Sequence, residues 1–207
     1  MEAGAVRGLE LMQGRLVFLL EEPSMKFLLE GLLPRIFPGM VVGLHFLCVT
    51  HQGKSDLDTS IPRKLKSWKI VGDRFVIMRD NDNANCIDLK ARFVRMCEEC
   101  GRPDTLIRLV CQELESWYIG DLSALAEVFA APKLDSPGLR KRFVNPDTWQ
   151  KPSRELERLI PAFQKGSAAR LMAECLEEER NCSPSFQAFI GGVRCLVSGM
   201  GYAAPLP

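Results

Sequence analysis

Histidine and tyrosine are scarce in this 207-residue chain, with two of each. His45 reads as part of a strand, so a Ser-His-Asp triad or a histidine-rich zinc catalyst has only His51 to draw on. Long apolar runs are missing as well, and nothing approaches the ~18 residues of a membrane span. Met1–Gly14 lacks the basic start of a signal peptide, and the apolar run Leu16–Leu20 is too short for one. No sign of charge dominates. The 27 Lys+Arg face 26 Asp+Glu, a formal net charge of +1, which excludes a polycation that coats nucleic acid at large but leaves local patches open. Long polar or repetitive tracts are absent, which excludes a disordered chain. What remains is a soluble, cytoplasmic globular protein with apolar residue enough for a substantial core.

The eight cysteines are scattered, mostly inside apolar segments. Without a signal peptide the compartment is reducing, and buried thiols are the expectation. Cys97 and Cys100 have zinc-ligand spacing, yet no second CxxC or HxxxH completes a four-ligand site. The pair falls in the helical pattern Leu89, Phe93, Met96, Cys97, Cys100, closed by Gly101, which favours core packing.

The first part of the chain alternates strand-like and helix-like segments. Arg15–Leu20 reads as a strand buried on both faces, followed by a helix over Met25–Leu33 with Ser24 as its N-cap. Met40–Thr50 is a second strand, and a polar turn at His51–Asp56 leads into a helix through Trp68. Arg74–Met78 is a third strand, closed by a turn from Arg79 to Asn83, and Ile87–Cys100 a helix. Thr105–Cys111 is a fourth strand running into Glu113–Trp117. Strands separated by helices of this length predict an α/β fold with a mostly parallel sheet. After Asp121 the strands stop: Asp121–Ala130, Arg154–Gln164, Ser167–Glu178 capped by Ser167 and a last segment opened by Ser183-Pro184 read as helices, and Pro132–Lys151 as a Pro- and charge-rich connection. The resulting division is an N-terminal extension (1–14, open to disorder, with Met12 an alternative start), an α/β domain (15–130), and a helical C-terminal extension packed on it (131–207).

Acidic residues follow the carboxyl ends of three strands, at Glu21, Asp80 and Glu113, where open α/β sheets place ligands. Asp80 and Asp82, two positions apart in extended chain, project to one side, and a bend lets both reach one hard cation; the same Asp- and Asn-rich stretch also suits a solvated turn. A calcium EF-hand is excluded, because Asn85 stands at the sixth loop position and Ala91 at the twelfth. Glu21 and Glu22 can ligate a metal or act as general base, or simply favour a helix start. Glu113 and Glu115 precede Trp117 and can approach the same strand ends. Gly53-Lys54-Ser55 is not a phosphate loop, because Cys48 occupies the position of its first glycine; Lys54 can still meet a phosphate as a point charge. The basic clusters Arg63–Lys69 and Arg140, Lys141, Arg142 can track a nucleic-acid backbone or face solvent.

A glutamate after the first strand and Asp-x-Asp after a later one, in a chain alternating β and α, resemble the Toprim domain of topoisomerases, primases and OLD-type nucleases. The stretches VFLLEEPSMKFLLEGLLPRI, HQGKSDL, FVIMRDNDN, QELESWYIGDL and NCSPSFQAFIGGVR resemble, more specifically, an uncharacterised Toprim-like bacterial family (domain of unknown function 4276) encoded beside ABC/OLD-like ATPases. The resemblance implies that Glu21 serves in proton transfer or metal binding, and that Asp80 and Asp82 hold Mg²⁺ or Mn²⁺. Glu22 stands where the Toprim motif has glycine, which leaves open which glutamate is used, while Glu113 and Glu115 match the family's Glu-x-Glu-x-Trp segment. The implied function is Mg²⁺-dependent phosphodiester hydrolysis of nucleic acid, DNA ahead of RNA. The chain would act as a subunit beside a separate ATPase in anti-phage defence, with Lys54 or Arg140–Arg142 on the backbone phosphates; an oligomer stays open. The alternative is a non-catalytic Toprim-fold adaptor or sensor that docks on the ATPase. Primase-like nucleotidyl transfer lacks a zinc ribbon, and strand passage lacks an obviously placed tyrosine, Tyr118 and Tyr202 being the only two.

Overall fold

A computed structural model describes residues 14–200. The N-terminal extension, apart from Gly14, and Tyr202 lie outside the described residues. The architecture is α/β. Strands β1 (Leu16–Leu20), β2 (Phe46–Thr50), β3 (Arg74–Asp80) and β4 (Leu106–Val110) form one all-parallel sheet in the order β2-β1-β3-β4. Helices α1 (Pro23–Ile36), α2 (Lys54–Ser67) and α3 (Cys86–Glu99) make the crossovers. The order reverses between β1 and β3, and the crevice at their carboxyl ends is the switch point where such sheets bind ligands.

Both faces of the sheet are covered, which is why β1 reads as an unbroken apolar run. All five of its residues are wholly buried. The strand period of two sends Leu16, Phe18, Leu20, Val76, Met78 and Val110 to one face, against α1 and the C-terminal helices. Val17, Leu19, Phe75, Ile77 and Ile107 go to the other, against α2 and α3. Cys97 is buried in this second cluster with Cys100 packed beside it, and burial pushes the Cys97 thiol up to about 11, away from the thiolate a metal requires. The broader expectation of buried thiols fails: only Cys48 and Cys97 are buried, and Cys182 and Cys195 are exposed.

After β4 come α4 (Glu115–Ile119), α5 (Leu122–Val128), α6 (Pro137–Arg142), α7 (Pro152–Leu159), α8 (Lys165–Cys175) and α9 (Pro184–Gly199), with 3-10 turns at Pro132–Asp135 and Pro146–Thr148. Their apolar faces join the first cluster, so sheet, α1 and C-terminal helices share one continuous core. Helix α8 lies closely on α1, because a Cβ at Gly31 would stand 2.8 Å from that of Ala173. Arg35 locks the pair, its Nη1 donating to the carbonyls of Ala173 (2.8 Å) and Leu176 (3.1 Å) at the end of α8. Gly31→Ile is expected to overpack this contact and cost ~1–3 kcal/mol, read as a lowered midpoint in a thermal melt.

Several boundaries differ from expectation: α7 stops at Leu159 rather than Gln164, and the connection expected over Pro132–Lys151 holds α6 and the two 3-10 turns. Pro23 takes the first helical position of α1, so Glu22 is the cap residue and Ser24 lies inside the helix, donating to the Glu22 carboxylate. Ser167 likewise lies inside α8, its hydroxyl donating to the Gln164 carbonyl at 3.1 Å. Met40–His45 is not strand, because Gly43 takes φ +80° and Val41 and His45 close a loop in which Val41 N–H donates to His45 Nδ1 (2.9 Å). Finally, β3 runs two residues further than expected, since Asp80 pairs in register with Val110. The Ser183 cap of α9 is as expected, its oxygen accepting from Phe186 N–H at 3.2 Å.

Candidate active site at the switch point

Glu21 follows β1 directly and Asp80 ends β3, so the two flank the switch-point crevice from neighbouring strands. They are joined there, the Asp80 backbone N–H donating to Glu21 Oε2 at 3.1 Å. Beyond that bond their surroundings differ. Asp80 continues the Val76 and Met78 row toward the C-terminal helices, while Arg79 goes with Ile77 to the opposite side. There Arg79 lies over the Phe93 ring and pairs with Asp58 at 3.1 Å. Glu21 is surrounded by Arg79, Asp82 and Glu22. Asp80 instead meets Glu21, Glu115, Glu22 and Lys165.

Asp82 departs from the expected geometry. It is not in extended chain, because Asp82 and Asn83 take φ +47° and +64°, the left-handed region. Gln112, itself at φ +64°, holds this turn: its carbonyl accepts from Asp82 N–H (3.3 Å) and its Oε1 from Asn83 N–H (2.8 Å). The bend sends the Asp82 carboxylate to Lys54 at the start of α2, at 3.1 Å. The expectation that Asp80 and Asp82 project to one side is therefore overturned. Lys54 binds a carboxylate of this chain rather than standing free for a phosphate.

Glu115 and Glu22 come to Asp80 from the other side. Glu115 opens α4 and is 1% exposed, with Lys165 Nζ at 3.5 Å from its Oε1. Asp80 Oδ1, Glu115 Oε2, Ser116 Oγ and the Tyr118 hydroxyl are all buried without a hydrogen-bond partner. Unpartnered polar atoms in a native interior are rare and costly. Desolvation pushes the Asp80 carboxyl well above the usual range, and Glu21 and Glu115 add to it by repulsion. Burial raises Glu115 to about 7 against the opposing Lys165 ammonium, and raises Glu21 as well, with Arg79 opposing. The Lys165 ammonium is held above its ordinary value by Glu115, Glu22, Asp80 and Glu113, which outweigh its own burial. Burial works to raise Glu113 too, yet the bonds from Ser153 and Lys151 prevail and hold it low. Its Oε2 accepts from Ser153 N–H at 3.0 Å and its Oε1 pairs with Lys151 at 3.2 Å.

The donor chemistry suits a hard divalent cation, all oxygen and with an orphaned oxygen on Asp80. As the side chains stand, though, no three His, Cys, Asp or Glu among the described residues are grouped to hold a metal ion. The physical reason is the split just described: Asp82 is drawn to Lys54, and Asp80 faces the C-terminal helices. The Arg140–Arg142 cluster is split as well. Arg140 pairs with Asp135 (2.5 Å), whereas Arg142 pairs with Glu155 (2.5 Å) and lies over the Phe143 and Trp149 rings. The sequence reading missed Lys165, Lys151 and Arg79, and none carries a local signal: a lysine or arginine at a helix start, in a loop or in a strand gains its role only from what packs against it. Tyr118 is fully buried beneath the carboxylates, which leaves it no access to a phosphodiester.

No helix among the described residues is long and apolar enough to cross a membrane. Comparison with curated proteins and with solved structures finds no match. A family model described as a domain of unknown function (DUF4276) matches residues 20–194, well over half of the chain, and the protein belongs to that family.

Proposed function

We propose that this chain is a Toprim-like, metal-dependent phosphodiesterase acting on nucleic acid, as a subunit beside a separate ABC/OLD-like ATPase in bacterial anti-phage defence. The observation that carries the reading is the Asp80–Glu21 pair across the β1–β3 switch point, with a buried unpartnered oxygen on Asp80. Glu21, Asp80 and Asp82 would hold Mg²⁺ or Mn²⁺, which when bound polarises a phosphodiester and lowers the pKa of water. The Lys54–Asp82 pair is half-exposed and worth only ~0–1 kcal/mol, too little to keep Asp82 from a divalent ion. Arg79 fixes the β3 end by donating from Nη1 to the Asp80 carbonyl at 2.8 Å. Glu115, titrating near 7, sits where it can take up or return a proton at Oε2 around neutral pH. Lys165 offsets the negative charge of the cluster until substrate and ion arrive.

Two measurements test this. With Mg²⁺ or Mn²⁺ at about a hundred times its dissociation constant, the thermal midpoint should rise by roughly 5–10 °C, and the rise should vanish in Asp80→Ala,Asp82→Ala. Plasmid or oligonucleotide should be cut by the wild type, alone or with the ATPase, and spared by the same variant. Equal cutting by both proteins would refute the assignment. That no three such side chains among the described residues are grouped to hold an ion favours one second reading, an adaptor on the same fold; it predicts no ion-dependent shift and normal ATPase binding by the variant.

A further inference from the structure

Beside the carboxylate site, the C-terminal helices form an open groove of about 590 Å³ lined by Trp149, Lys151, Arg154, Glu155 and Arg158. Its wall is continuous with the site. Lys151 donates to Glu113 Oε1, Glu113 Oε2 takes the Ser153 N–H, and Glu113 stands two residues before Glu115. Four cations border the groove, counting Arg142 over the Trp149 ring at 5.0 Å. Only two carboxylates answer them, Glu113 and Glu155, and both are buried. Arg142 and Arg158 share Glu155 (2.5 and 2.6 Å), and Arg154 is exposed with no ion pair among the described residues. The groove thus carries a surplus of two positive charges (4 − 2) on a chain whose net charge is +1, so the remainder of the chain is slightly negative. The surplus is local, built around the partly buried Trp149, which packs edge-on against Phe143 at 5.0 Å.

We propose that this groove binds single-stranded nucleic acid, one base stacking on Trp149 and the backbone phosphates running along Lys151, Arg154 and Arg158 toward the carboxylates. The assignment deepens the phosphodiesterase reading and rests on it for the direction of the strand. An aromatic ring set among arginines and lysines is the arrangement that takes unpaired bases, because every base has a face to stack while a duplex hides its faces. Charge on the groove walls supplies affinity without sequence preference.

The test uses the full chain carrying Asp80→Asn, without metal, and fluorescein-labelled oligonucleotides read by anisotropy: a DNA strand, the RNA of the same sequence, and the matching duplex. The single strands should bind in preference to the duplex. Trp149→Ala should weaken strand binding about tenfold and Trp149→Phe should restore most of it. Arg154→Ala should weaken all strands alike and reduce the salt slope by about one. Circular dichroism melts check that each variant folds, which exposed Arg154 guarantees best. Unchanged affinity in both Trp149→Ala and Arg154→Ala, or duplex preferred over strand, overturns the proposal. Cleavage of the same strand by the otherwise wild-type chain with Mg²⁺, alone and together with the ATPase, is scored separately. Groove-dependent binding without cleavage removes the hydrolase reading and leaves the groove, whereas cleavage that survives both substitutions removes the groove and leaves the hydrolase.

Discussion

Asp80→Asn is expected to lose cleavage by about 10³-fold while making the fold more stable at neutral pH. The two effects have one cause. Asp80 is buried with one oxygen unpartnered and three glutamates among its charged neighbours, so its charge is useful to a cation and costly without one. Asn keeps the shape and removes the charge. The pH dependence of stability separates this from a generic structural effect. The carboxyls of Asp80 and Glu115 hold their protons to higher pH in the folded chain than in the unfolded one. Between the unfolded and folded values the native state therefore binds more protons, and stability falls as pH rises, by about 1.4 kcal/mol per pH unit for each group in its window. For Glu115 the window runs from 4.5 to about 7; for Asp80 it begins at 3.8. Denaturant unfolding from pH 5 to 8 should show a steep decline in the wild type and a shallower one in Asp80→Asn. Parallel curves would show that Asp80 does not carry this strain. In saturating Mg²⁺ the wild-type decline should flatten, because the ion offsets the repulsion that drives it.

Trp117→Ala is expected to cost ~3–5 kcal/mol, a large part of the ~5–15 kcal/mol that holds a domain together. Trp117 is wholly buried, with its ring 5.2 Å from that of Phe186 and 5.0 Å from that of Phe189, both on α9. Its indole N–H donates to Ser185 Oγ at 2.9 Å. Removing the ring opens a cavity between α4 and α9 and strips Ser185 of a donor. Because Glu115 and Tyr118 share α4 with Trp117, the carboxylate site should loosen together with the core. A lowered midpoint in urea, with a loss of ion binding in proportion, is the result expected. A variant as stable as the wild type would mean that α4 is not anchored through this ring. Trp149→Ala, which removes a partly buried ring packed on Phe143, should lower the midpoint by less than Trp117→Ala does.

The parallel sheet was legible from the chain because a strand buried on both faces needs an unbroken apolar run, and Leu16–Leu20 and Phe75–Met78 supply it. Glu21 and Asp80 were legible as a pair because ligand sites of such sheets gather at strand carboxyl ends. The pairing of Asp80 with Asp82 was not. It assumed a bend that turns both carboxylates to one cation, and the left-handed turn that instead sends Asp82 to Lys54 depends on Gln112, on a different strand's loop.

By itself, the sequence determined the strands, the crossover helices and which strand ends carry acid, since these follow from local periodicity, proline and glycine. Tertiary structure alone decided which charges meet. Docking of α8 on α1 through Gly31 and Ala173 brings Lys165 to Glu115, and the Gln112-held turn brings Asp82 to Lys54. Such contacts join residues distant along the chain, and the energy of a charge depends on what surrounds it in space.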